Sequence, residues 1–248
     1  MNDVVHLRFP EPGIAVIEMA DRVHMNQFTH ALVAGLQQAL DKAQKQPDTR
    51  VVVLHGVDGV FCAGGTREEL LGIADKHIRF DDLPLYRLLL DCEIPVVAAM
   101  QGHALGGGLA MGLFADVIVL AEEAIYSANF MKYGFTPGMG ATLVLPEKLG
   151  ATLAAEMLMT AGGYQGGELA RRGVGLRVVR RKEVVAVAMR LARELADKPR
   201  VSLVLLKKHL TTRLRELLPA TVAAELRMHE TTFASSEVRE RITTRFGA

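Results

Sequence analysis

The run Gly102-His103-Ala104-Leu105-Gly106-Gly107-Gly108, entered from the apolar segment Val96–Met100, is the clearest chemical signal in this chain. A strand that ends in glycines and resumes as a helix lets a ligand approach main-chain N–H groups. Those groups sit beside a helix N-terminus, where unpaired donors and the helix dipole favour negative charge. A second small-residue turn lies upstream, in Phe61-Cys62-Ala63-Gly64-Gly65, behind another apolar run, Val51–Leu54. Two N–H donors aimed at one carbonyl oxygen form an oxyanion hole, which stabilises that oxygen as it turns negative. Either turn alone is weak evidence, because a tight strand-to-helix connection has the same composition. The pair is the stronger signal.

Positioning two such turns requires alternating strands and helices. Val4–Phe9 and Ile14–Glu18 have strand character and are joined by the turn residues Pro10-Glu11-Pro12-Gly13. Leu32, Val33, Leu36 and Leu40 give the segment Phe28–Ala43 an amphipathic helical spacing. Val51–Leu54 and Val96–Met100 are short apolar runs suited to strands covered on both faces. The pattern predicts an α/β fold. Beyond about Leu145 strand signals nearly cease and helices are expected, among them Ala151–Thr160, Glu168–Arg172, Glu183–Ala196, Val201–Leu217, Ala220–Phe233 and Ser236–Phe246.

The two glycine segments, in this order, closely resemble the paired oxyanion signature of the crotonase (enoyl-CoA hydratase/isomerase) superfamily. The resemblance runs from Asp21-Arg22-Val23-His24-Met25-Asn26 to the closing helices. It implies a spiral core of repeated ββα units over residues 1–190 and a helical trimerisation segment over 191–248. By position, Gly65 and Gly107 match the family residues whose N–H groups hold a thioester oxygen, and Ala63, Gly64 and Gly106 are the neighbours expected to bind the thioester arm. The family's hydratases also need two glutamates. Their positions fall here on Ala110 and Phe130, which neither accept nor deliver protons, and the neighbours Leu109, Met111, Asn129 and Met131 are not carboxylates either. The family aspartate after the first oxyanion residue is replaced by Thr66. The expected cavity is therefore stripped of water-activating acids, and the chemistry left to it is an enolate formed without water, as in decarboxylation.

Within the superfamily, Phe61-Cys62-Ala63-Gly64-Gly65-Thr66, the stretch Met131–Thr142 and Arg227-Met228-His229-Glu230-Thr231-Thr232-Phe233 resemble decarboxylases of polyketide β-branching. Those act on 3-methylglutaconyl groups carried by an acyl carrier protein and yield a 3-methylcrotonyl-type thioester or its β,γ isomer. Their active-site lysine and histidine fall on Lys76 and His229, while a tyrosine found in some members is Gly72 here. Lys76 is expected to orient the distal carboxylate as an ammonium charge. His229, with an ordinary pKa of about 6.5, is suited to return the proton. The blander readings are a solvated Lys76 and a structural His229 capped by a backbone carbonyl. His103 is expected to be a packing residue, Tyr133 and Thr136 turn and wall residues, and His77 and Tyr86 to lie near the acyl pocket. A conventional hydratase or isomerase acting on acyl-CoA, with His229 as base, and a non-catalytic acyl-binding protein remain the alternatives.

Composition sets the outer limits. The chain has 248 residues, 50% of them hydrophobic, enough for a full core and too apolar for disorder. A formal net charge of +1 gives no electrostatic case for nucleic acid. Cys62 and Cys92 are the only cysteines, so a disulfide framework is not expected and a reducing cytoplasm is. The start Met1-Asn2-Asp3-Val4 lacks the basic-then-apolar pattern of an export signal, and no long apolar run suggests a membrane span. No metal, nucleotide or redox cofactor is indicated, since phosphopantetheine or CoA arrives with the substrate. The expected partners are an acyl carrier protein and further copies of this chain, as a homotrimer or dimer of trimers. The cationic cluster Arg177, Arg180, Arg181 and Lys182 is a solvated edge or a patch for an acidic carrier.

Overall fold

The computed structural model describes residues 4–75, 77 and 84–246. β1 (Val5–Glu11) and β2 (Ile14–Met19) form the expected antiparallel hairpin. α1 (His30–Lys45) follows, capped by Thr29, whose hydroxyl accepts the Leu32 N–H at 3.2 Å. Its buried stripe includes Leu32, Val33, Leu36 and Leu40, the residues whose spacing predicted it.

The chain then repeats one plan of two strands and a helix. The first unit is β3 (Val51–His55), β4 (Val60–Cys62) and α2 (Arg67–Ala74). After the short α3 (Leu88–Asp91), the second is β5 (Val96–Met100), β6 (His103–Leu105) and α4 (Gly107–Leu113). The third is β7 (Val117–Ala121), β8 (Ile125–Ser127) and, after a 3-10 turn at 129–133, α5 (Ala141–Leu149). There follow α6 (Ala151–Thr160), β9 (Gly163–Gln165), α7 (Gly166–Arg171), β10 (Arg177–Val179) and α8 (Val184–Ala196). The first strand of each unit enters a six-stranded sheet ordered β1-β2-β3-β5-β7-β10, and the second enters a four-stranded sheet ordered β4-β6-β8-β9. β3 and β5 are buried at every position, as their continuous apolar character requires, and α8 packs across β3, β5 and β7. The α/β spiral of ββα units is thus as expected.

The chain closes with α9 (Arg200–Leu210), α10 (Thr212–Thr232) and α11 (Ser236–Arg245). Three expectations need correction here. The helix break expected before Pro219 lies instead at Thr211, and Pro219 sits inside α10. Proline removes only one helical donor, while the end of α9 is pinned by Lys207. That ammonium is buried, lies 2.8 Å from the Asp116 carboxylate and donates to the Leu89 and Ile94 carbonyls. Strands also continue past Leu145. β9 and β10 are three residues each, too short to show a period, and they exist because neighbouring strands offer open edges. The boundary expected between residues 190 and 191 falls inside α8.

Candidate active site

The first glycine turn is held from outside by the loop that follows β2. Asn26, fully buried, accepts the Asp21 N–H at 2.8 Å and donates to the Met19 and Phe61 carbonyls at 3.1 Å each. That clamp brings the loop onto the turn, where the Ala63 N–H donates to Met25 O at 3.1 Å and the Phe28 N–H donates to Gly64 O at 2.8 Å. Cys62 points away from any chemistry. Its thiol donates to the Asn26 carbonyl at 3.0 Å, and burial pushes its pKa up to about 12. Downstream, Thr66 and Glu69 form a capping box: the Glu69 N–H donates to the Thr66 hydroxyl at 3.1 Å, and the Thr66 N–H donates to Glu69 Oε2 at 3.0 Å. The Gly65 N–H, between these two sets of bonds, has no hydrogen-bond partner among the described residues.

The second turn lies directly against the first. Gly64 has φ +83°, and a Cβ there would stand 2.7 Å from Leu105 O and 3.3 Å from Gly107 N, so only glycine permits the approach. The Gly106 N–H is spent on Ser127 O at 2.8 Å. Gly107 is the first residue of α4, and its N–H is one of the unpaired donors of a helix N-terminus. A Cβ on Gly107 would meet Met139 Sδ at 2.6 Å and the Phe28 ring at 2.7 Å. Both glycines line one cavity of about 340 Å³, together with Ala63, Gly64 and Gly106.

The rest of that cavity is largely apolar, with Phe28, Phe130, Tyr133, Phe135 and Phe246 as its aromatic residues. Phe130 occupies the wall, edge-on to Phe135 with centroids 6.1 Å apart, and Tyr133 stacks on Phe135 at 6.1 Å and Phe246 at 5.6 Å. Ala110 is buried in α4. The expectation of a wall without acids is nevertheless wrong in one respect, because Glu69 also lines the cavity. Burial pushes its carboxyl above the usual carboxylate range, against the opposing hydrogen bonds from Thr66. Glu69 lies outside the hydratase glutamate positions and their neighbours, and the spacing Thr66-x-x-Glu69 is that of a helix cap rather than of a cavity residue. Gln27, Asn129 and Lys132 line the cavity too, and nothing in their local sequence marks them.

His229 is buried on α10, edge-on to Phe135 and Phe233 with centroids 6.3 and 5.4 Å away. Its Nε2 lies 2.8 Å from the Thr136 carbonyl oxygen. Burial holds the imidazole below the usual histidine range, against the pull of the Thr136 and Pro137 carbonyls. Phe135 lines the cavity, while His229 is not among the lining residues described. Lys76 lies outside the described residues. His77 is exposed and Tyr86 half-buried, and neither is a lining residue, whereas Leu85 is. His103 is a packing residue as expected, its Nδ1 accepting the Ile125 N–H at 2.9 Å. Thr136 pairs with Thr232 at 3.3 Å. Glu225, buried one turn below His229, ties α10 to the start of α5 by accepting the Gly140 N–H at 2.7 Å and the Thr142 N–H and hydroxyl at 3.0 and 2.7 Å.

Comparison with known proteins places this arrangement among relatives. Residues 10–246 match the Enoyl-CoA hydratase/isomerase family. The chain is 51% identical over 246 residues to the bacillaene synthase decarboxylase PksI of Bacillus subtilis (strain 168), covering 99% of each chain. It superposes with a TM-score of 0.97 and 51% identity on a structure from a dehydratase/decarboxylase enzyme couple involved in polyketide β-branching, covering 99% of this chain and 100% of that one. The ECH2 decarboxylase domain of CurF from Lyngbya majuscula matches with a TM-score of 0.94 and 41% identity, over 98% of this chain and 99% of that one.

Proposed function

The chain belongs to the enoyl-CoA hydratase/isomerase family, and from that premise we propose the following reading of its site. The protein is a carbon–carbon lyase that performs a decarboxylation during polyketide β-branching. Its substrate is a 3-methylglutaconyl-type thioester carried by an acyl carrier protein, and its product is a 3-methylcrotonyl-type thioester. The phosphopantetheine arm belongs to the substrate, and the reaction requires no further cofactor.

The chemistry follows from where the electrons go. When the bond to the distal carboxylate breaks, CO2 leaves and the bonding pair passes through the conjugated system to the thioester oxygen. The N–H groups of Gly65 and Gly107 stabilise the resulting dienolate, and one proton then completes the product. The reading rests on one observation. Gly65 and Gly107, whose N–H groups have no acceptor among the described residues, line one cavity, and Phe130 and Ala110 stand where hydration needs glutamates. Lys76 holds the distal carboxylate so that the breaking bond lies perpendicular to the conjugated plane. A tight ion pair also stabilises the ground state, so alignment is its benefit. His229, packed on the lining residue Phe135, returns the proton. A structural role for His229 is the second reading, favoured by its Nε2 contact with Thr136 O at 2.8 Å. The active form is a homotrimer or dimer of trimers. α9 supports this by leaving Val201, Leu205, Leu206 and Leu210 exposed.

Mass spectrometry of the carrier-linked thioester tests the reaction. Loss of the mass of CO2 is expected; gain of the mass of water would make the protein a hydratase, and no change would make it an acyl-binding protein. An isomerase leaves the mass unaltered and is separated from that last case by NMR.

A further inference from the structure

The loop that clamps the first glycine turn also faces outward, and the chemistry above does not use what it presents there. Asp21 is buried, and its carboxylate accepts the His24 N–H at 2.9 Å and lies 3.0 Å from His24 Nδ1, so the exposed imidazole is held in place. Beside it Val23 is 84% exposed, and Met25, which also lines the cavity, is 49% exposed. Arg22 borders a separate groove of about 560 Å³ whose further border is Arg180, Arg181 and Lys182.

Acids lie in that groove as well, but most are engaged. Glu18 faces Arg8 at 3.6 Å, and Glu123 accepts the Arg181 backbone N–H at 2.7 Å, leaving Asp58. Arg22, Arg180 and Lys182 are exposed and form no ion pair among the described residues. The surplus is local: residues 171–182 include Arg171, Arg172, Arg177, Arg180, Arg181 and Lys182 and no acid, in a chain of net charge +1. Arg172 is engaged with Glu156 at 2.6 Å, Arg177 lies on the edge strand β10, and Arg181 is bonded to Glu123, which leaves Arg180 and Lys182 as the cations of the shoulder without an ion pair among the described residues.

The groove and the cavity are joined by one short piece of chain. The cavity that Gly65 and Gly107 line also includes Phe130, Tyr133 and Phe135. Ala63 and Met25 line it too, and the Ala63 N–H donates to Met25 O at 3.1 Å. Arg22 lies three residues from Met25, at most about 11 Å along the chain.

We infer that an acidic carrier protein docks on the face formed by loop 22–25 and the Arg180–Lys182 shoulder. Val23 is its apolar centre, and Arg22, Arg180 and Lys182 meet the carrier's carboxylates. The inference rests on the carrier-linked reading of the substrate. Charge complementarity of this kind acts mainly on encounter, so it raises kcat/KM for the carrier-linked substrate and leaves the chemical step alone.

The test compares the same acyl group on the acidic carrier protein and on free pantetheine. In Arg180→Glu/Lys182→Glu, kcat/KM for the carrier-linked thioester is expected to fall about 10-fold or more, and its salt dependence to flatten, while the pantetheine thioester turns over as in wild type. Val23→Asp, which alters only an exposed side chain, is expected to give the same split. Unchanged kcat/KM on the carrier overturns the docking face. Equal losses on both substrates, or a changed assembly size by light scattering, also overturn it, because the residues then serve the cavity or a subunit contact. Wild-type protein that releases no CO2 from either thioester refutes the decarboxylase reading instead. Docking is then still read by titrating the variants with a carrier bearing an inert acyl amide, to which the wild type is expected to bind more tightly.

Discussion

At the residue scale the site depends on main-chain groups, so its sharpest test changes a backbone rather than a side chain. Gly65→Pro deletes one N–H donor and is expected to slow CO2 release about 100- to 1000-fold in single-turnover mass spectrometry. In Gly65→Ala the donor remains and a Cβ meets nothing nearer than 3.9 Å, so the loss is expected to be far smaller. Comparable losses in both would count against an oxyanion role. Glu69 supplies the converse test. Its carboxyl caps α2, and Glu69→Gln leaves an acceptor for Thr66, so we expect decarboxylation to persist within about 10-fold, with no water added to the substrate. His229 makes a prediction in pH. Its folded pKa lies below the unfolded one, so the folded state binds the proton less readily. Stability is complete above about pH 6.5 and declines as pH falls through that value. Thermal melting at pH 5 to 8 is expected to show less acid sensitivity in His229→Asn than in wild type. For catalysis, loss of a histidine-type ionisation from the pH–rate profile of His229→Asn would support the proton route. An unaltered profile with a lower melting temperature would support the structural one.

At the level of elements, two glycine turns become one site because consecutive ββα units are stacked. β4 pairs with β6 and β6 with β8, so each strand-to-helix corner falls beside the next. The corner after β8 carries Phe130 and Tyr133 into the same cavity. α10 backs that wall, with His229 edge-on to the lining residue Phe135 and Glu225 holding the start of α5. Glu225→Ala would leave the Gly140 and Thr142 N–H groups buried without an acceptor, and we expect it to cost about 3 kcal/mol in denaturant unfolding. A value near zero would mean that α10 does not depend on this anchor. Thr211 rather than Pro219 separates α9 from α10 for a related reason: a tertiary anchor at Lys207 outweighs one missing helical bond.

For the whole molecule, no helix among the described residues is long and apolar enough to cross a membrane. Four large exposed apolar residues, Val201, Leu205, Leu206 and Leu210, share the single helix α9, where Leu206 is 54% and Leu210 70% exposed. If subunits cover that surface, Leu206→Glu/Leu210→Glu is expected to reduce the molecular mass measured by light scattering. An unchanged mass in a protein that sees no association even as wild type would remove the trimer.

Periodicity and glycine placement were enough, without coordinates, to specify the hairpin, α1, the two fully buried strands, the α/β class and the paired turns, because each depends on residues adjacent in the chain. The absence of glutamates at Ala110 and Phe130 was equally plain, since it is a matter of residue type. Folding alone brought Glu69, Asn129 and Lys132 to the cavity, set His229 against Thr136, created β9 and β10, and joined Arg22 to the Arg180–Lys182 shoulder. Those are pairings between distant segments. Their energy lies in contacts that no local pattern encodes, and a helix cap or a short edge strand has the same spacing whether it faces solvent or a substrate.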